Sequence, residues 1–120
     1  MKAEIKYFHS PDIVDLEKFM PKNPAEFCFL LQVMVGEKGQ EGEESFDVIV
    51  CTPKWLLKNN AKENIVYGLH HLIVFEYNFS RISTALKQIV ETPVFNNWDE
   101  VVERIGRIGK WEFEDYHNRL

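Results

Sequence analysis

The sequence predicts one α+β domain, a mostly antiparallel sheet with helices packed on one face. Three observations predict it. Two apolar runs flank a short segment rich in glycine and glutamate, as in a long antiparallel hairpin. Two stretches with helical spacing follow each other late in the chain. No internal repeat, low-complexity tract or long linker divides the 120 residues.

The elements follow in order. Residues 3–8 alternate, Ala3, Ile5 and Tyr7 on one side and Glu4 and Lys6 on the other, which predicts a half-buried strand. In "HSPDIVDLEKFMPKNP", residues 9–24, Ser10-Pro11, Pro21 and Pro24 leave room for at most a short helical turn around 12–19. "FCFLLQVMVG", residues 27–36, is a continuous apolar run that suits a central strand covered on both faces. "EKGQEGEE", residues 37–44, carries two glycines and four glutamates and reads as a flexible acidic loop. Beyond it Phe46, Val48 and Val50 alternate with Asp47, Ile49 and Cys51, completing the hairpin.

Thr52-Pro53 then starts a short helix, with threonine as the cap and proline at the first helical position. Trp55, Leu56 and Leu57 are expected to supply its packing, and Asn59-Asn60 its end. "IVYGLHHLIVFEY", residues 65–77, resumes strand character, with Gly68 as a bulge or break. Phe79, Ile82, Leu86, Ile89 and Val90 have helical spacing, and Pro93 lies just past them. "NWDEVVERIGRIG" opens with Asn97 and Glu100 in a capping-box pattern. Its apolar stripe is Trp98, Val101, Val102, Ile105 and Ile108; Gly106 weakens the helix and Gly109 ends it. In "KWEFEDY" the alternation of Trp111 and Phe113 against Glu112 and Glu114 predicts a short edge strand.

Composition narrows the function. A chain of this length buries roughly 65% of its unfolded surface, enough for one core without staples. Nineteen acidic residues against fourteen basic give a net charge of -5. Such a domain repels phosphate backbones and attracts basic partners. Cys28 and Cys51 lie in apolar strand-like runs with no CxxC neighbour, and residues 1–8 lack the apolar block of a secretory signal. The longest run without Asp, Glu, Lys or Arg spans residues 64–75, short of the roughly 20 residues needed to cross a bilayer. A cytoplasmic protein with reduced thiols is expected, although a disulfide between adjacent strands stays open.

Each chemical candidate has a plainer competitor. Cys51 precedes a helix start, where a thiol pKa can fall, and His70 or His71 is available as a base. A small thiol filling a two-sided sheet is the commoner outcome. Adjacent strand residues point to opposite faces, so His70 and His71 cannot chelate one metal unless His9, His117 or carboxylates join them. No HxxxH, HExxH or CxxC spacing is present. "GEKGQEG" lacks the lysine and hydroxyl of a phosphate-binding loop, "GRIG" lies at a helix end, and no serine sits in a nucleophile motif. The carboxylates form two groups: Glu37, Glu41, Glu43 and Glu44 in the loop, and Glu112, Glu114 and Asp115 in the tail. They are solvated surface, or a protein-binding surface on which Trp111 and Tyr116 serve as aromatic anchors.

"ESFDVIVCTPKWL", "GLHHLIVFEY" and "RIGKWEFEDY", in this order in so short a chain, resemble the immunity protein 8 family of bacterial polymorphic toxin systems. The resemblance runs from about Ile5 to Tyr116. It implies a cytosolic antidote that neutralises a cognate toxin domain by direct, non-catalytic binding, the acidic charge suiting a basic nuclease. It assigns no binding residues. The expectation is therefore a non-enzyme, monomer or weak homodimer, without cofactor or metal and without nucleic acid or membrane as partner. The loop Glu37, Glu41, Glu43 and Glu44, then Trp111, Glu112, Glu114, Asp115 and Tyr116, are the candidate contact residues. The rivals are a small cysteine-dependent enzyme centred on Cys51 and an adaptor for another cytosolic protein.

Overall fold

Strand β1 (Ala3–His9) pairs antiparallel with β2 (Cys28–Glu37), and β2 pairs antiparallel with β3 (Glu44–Cys51). The chain is described by a computed structural model over residues 1–119, with side chains through residue 116. The β2–β3 hairpin is the predicted one, in register from Cys28 opposite Cys51 to Val35 opposite Glu44. Helix α1 (Pro53–Asn59) leads to β4 (His71–Ile73), which pairs parallel with residues 49–51 of β3. Helices α2 (Phe79–Glu91) and α3 (Trp98–Ile105) follow, and β5 (Lys110–Trp111) returns antiparallel to Phe46 and Asp47 of β3. A 3₁₀ turn covers Glu114–Arg119. Three of the four strand pairings are antiparallel, so the predicted α+β class and mainly antiparallel sheet hold.

Helices α2 and α3 pack on one face of the sheet. Phe29, Leu31, Val33 and Val35 of β2 and Phe46, Val48 and Val50 of β3 form that face, and all are buried. Ile82, Leu86 and Val90 of α2, Val101 and Ile105 of α3, and Phe95 between the helices close the same core. At about 1.5–3 kcal/mol for each fully buried large apolar side chain, this layer is the main source of stability. The edge of the core is aromatic: Tyr77 meets the rings of Phe19, Phe27 and Phe29 at 5.0 to 6.0 Å, and its hydroxyl donates to the Leu16 carbonyl.

Several expectations need correction. Strand β2 is covered on one face only; Cys28, Leu30, Gln32 and Met34 on the other face are half-buried. A register shift between Ile5 and Tyr7 turns Tyr7 out, half exposed, and Phe8 takes the inward place against Phe79. Residues 65–77 do not form one long strand. Asn64 and His70 both adopt positive φ, 59° and 60°, and only His71–Ile73 lie extended beside β3. Helix α1 buries none of its side chains, and Leu57 is exposed. Ile89 also faces outward. Helix α3 stops at Ile105, with Gly106 rather than Gly109 at its end. Gly109 instead lets β5 approach β3: a Cβ there would lie 3.0 Å from Val48 Cγ2 and 3.1 Å from the Phe46 carbonyl carbon.

The helix starts are as expected. The Thr52 hydroxyl accepts from the Trp55 N–H at 3.3 Å and from the Phe27 N–H at 3.2 Å, joining the cap to the start of β2. Asn97 accepts from the Glu100 N–H at 2.9 Å, while the Glu100 carboxylate reaches back to the Asn96 N–H at 3.0 Å, one residue beyond the cap N–H that a true capping box uses.

Candidate functional site

The two acidic segments meet at one end of the sheet, where Glu44 and Trp111, 67 positions apart, join them. The hairpin turn brings the loop to that end, and β5 brings the tail there. Glu44, the first residue of β3, accepts from the indole N–H of Trp98 at 2.6 Å on one oxygen and of Trp111 at 3.1 Å on the other. One residue on, the Ser45 backbone exchanges two hydrogen bonds with Glu112. Its N–H donates to the Glu112 carboxylate at 2.9 Å, and its carbonyl accepts from the Glu112 N–H at 3.0 Å. Glu44 and Glu112 therefore hold elements together as well as carrying charge.

The loop is anchored rather than free. The Lys6 ammonium donates to the Gln40 carbonyl at 2.6 Å and pairs with Glu4 at 2.8 Å, and Glu4 also receives the Gly39 N–H. The Lys6 hydrogen bond, then the Gly39 N–H, hold the Glu4 carboxyl below its ordinary value. Positive φ at Gly39 and Gly42 lets the chain reverse within six residues. Glu37, Glu41 and Glu43 point to solvent, with Glu43 near the Tyr7 hydroxyl at 3.4 Å. Together with Gln40, Glu44 and Trp98 they line an open cleft of about 400 Å³.

Beside it the tail presents a run of rings, Trp111 to Phe113 at 5.4 Å and Phe113 to Tyr116 at 5.8 Å, each edge to face. Tyr116 is 63% exposed and Phe113 39%. Glu114 and Asp115 are exposed, and Asp115 pairs with Lys110 at 3.4 Å. Sequence reasoning passed over Trp98 and Phe113 as site residues. The signal for Trp98 was its place directly after the Asn97 cap, where a helix's first side chain can reach back to a neighbouring strand.

Other candidates are placed differently. Cys51 is fully buried, and burial raises its thiol to about 11, so it stays protonated at neutral pH. Cys28 sits opposite it in the ladder, and both thiols are free. His70 Nε2 lies 2.8 Å from the Gly106 carbonyl, and His71 Nδ1 2.8 Å from the Leu69 carbonyl. His9 Nδ1 lies 2.7 Å from Gln32, and the side chain of His117 falls outside the described residues. No group of three or more His, Cys, Asp or Glu is arranged to hold a metal among the described residues. No helix there is long and apolar enough to cross a membrane.

The acidic and aromatic side chains thus form one preformed surface on a small α+β scaffold. The model for immunity protein 8 matches residues 3–116, and the chain belongs to that family. No curated protein and no solved structure matches the chain.

Proposed function

We propose that this protein is a cytoplasmic antidote that neutralises a cognate bacterial toxin domain by direct binding, without catalysis. The contact surface in this reading is the acidic end of the sheet. Glu37, Glu41 and Glu43 supply charge; Tyr116 and Phe113, with Glu114 and Asp115 beside them, supply the aromatic anchor. The observation that carries the assignment is the meeting of loop and tail at Glu44, which makes one patch of two distant acidic segments. Rim carboxylates steer a basic partner and set the association rate, while desolvated rings slow its release. A basic toxin domain, such as a nuclease with a cationic substrate path, fits this charge, and occupation of that path is the mode of inhibition.

The test is co-expression with the toxin domain encoded beside this chain. Copurification and rescue of growth support the reading. Rescue without a stable complex contradicts direct binding, and a complex that leaves the toxin active contradicts neutralisation by that binding.

A further inference from the structure

Strand β4 has one edge paired with β3 and one edge open. The Ile49 N–H donates to the His70 carbonyl and the Val74 N–H to the Cys51 carbonyl, so the even-numbered residues of this segment bond inward. Strand alternation then sends the Ile73 N–H and C=O and the His71 C=O outward. Among the described residues β4 pairs with no other strand. The His71 N–H is taken by the Gly68 carbonyl at 3.2 Å, which ends the open edge on that side.

Exposed apolar side chains flank this edge. Ile73 is 51% exposed, Phe75 80% and Leu69 69%. A groove of about 470 Å³ runs between the edge and α2, lined by Leu72, Val74, Ile82 and Ala85, with Glu76, Asn78 and Arg81 as its polar residues. An added strand would complete its main-chain bonds on β4 and place alternate side chains in that groove.

We propose that this edge is a homodimer interface, in which Ile73 pairs antiparallel with Ile73 of a second copy and the sheet continues across the two-fold axis. The inference is independent of the function proposed above. Charge selects the occupant. Residues 64–75 contain no Asp, Glu, Lys or Arg, and the two charges at the groove, Glu76 and Arg81, are opposite in sign, so the edge carries no net charge and suits an equally neutral strand. Two copies of net charge -5 repel wherever their carboxylates approach. Strand β4 lies beside residues 49–51, the far end of β3 from Glu44. At about 3.3 Å per residue the acidic cluster is some 20 Å away along β3, beyond the Debye length of about 8 Å at physiological salt. Pairing through β4 therefore keeps the acidic ends apart, both still open to a toxin. The free groups are also self-complementary: each Ile73 offers one donor and one acceptor to its symmetry mate.

Sedimentation equilibrium of the full chain, from about 1 μM to about 1 mM, reads the dimer directly. A mass rising with concentration from 14.2 kDa towards twice that value is expected. Ile73→Pro removes the outward donor without touching the β3 ladder. Phe75→Lys, at a largely exposed side chain that should not disturb folding, puts a charge at the interface. Each should raise the dissociation constant at least about tenfold. A monomer at every concentration overturns the proposal, as does a dimer indifferent to Phe75→Lys. A monomer whose toxin binding is lost in Phe75→Lys also overturns it and gives the edge to the toxin.

Discussion

The indole N–H of Trp98 donates to Glu44 at 2.6 Å, tying the first turn of α3 to the first residue of β3. The second oxygen of the same carboxylate holds Trp111, so one side chain fixes both the helix and the returning tail. Hydrogen bonds to a charged acceptor contribute about 1.5–3 kcal/mol when partly desolvated. Glu44→Ala is expected to destabilise the fold by about 2 kcal/mol, read by urea denaturation. Glu44→Gln should cost less, because its amide oxygen still accepts one indole. A loss below about 0.5 kcal/mol for Glu44→Ala would show that the indoles find other acceptors.

Thr52 joins two elements through one hydroxyl, the cap of α1 and the entry to β2. Thr52→Val keeps the shape but leaves the buried Phe27 N–H without an acceptor. The expected loss is about 2 kcal/mol, with Thr52→Ser close to the parent protein. Equal losses in the two variants would assign the effect to packing instead.

Gly109 is the point at which β5 meets β3. Gly109→Ala forces a methyl group against the Phe46 backbone, which cannot move aside as a side-chain end can. A destabilisation of about 1–3 kcal/mol is expected, with red-shifted Trp emission as Trp111 loosens. Unchanged stability and emission would mean that the strand pair relaxes at no cost.

Cys51 gives a pH signature. Its thiol titrates near 9.0 when free and is raised by burial to about 11 in the fold. The folded state therefore holds the proton more tightly, and stability is complete below pH 9 and falls as pH rises towards 11. Tyr77, raised from 10.0 chiefly by burial, adds to the same alkaline loss. Cys51→Ala should flatten the decline between pH 9 and 11 and leave toxin binding intact. Loss of protection in a stable Cys51→Ala protein would revive a chemical role for the thiol.

Much of the fold was legible because local chemistry and burial agreed. The run 27–36, the glycine-bearing turn and the alternation from Phe46 to Cys51 all point to one hairpin, and Thr52-Pro53 and Asn97 mark helix starts by their caps. Failures came where tertiary contacts override local pattern. Residues 65–77 are rich in strand formers, yet left-handed Asn64 and His70 cut the extended part to three residues. The bulge after Ile5 needed knowledge of β2's register, which alternation alone does not contain. Both acidic segments of the candidate surface stood out in the sequence. Their meeting did not, because it depends on one glutamate reaching two indoles from α3 and β5.

The central claim is that the acidic end meets the toxin, and the association rate tests it most directly. Glu37, Glu41 and Glu43 are exposed and can be reversed to lysine, whereas Glu44 must stay because it holds the fold. Stopped-flow association of the triple Glu→Lys variant with the toxin domain should be about tenfold slower at low salt, with a flattened salt dependence. An association rate and salt slope equal to those of the parent protein would contradict the claim.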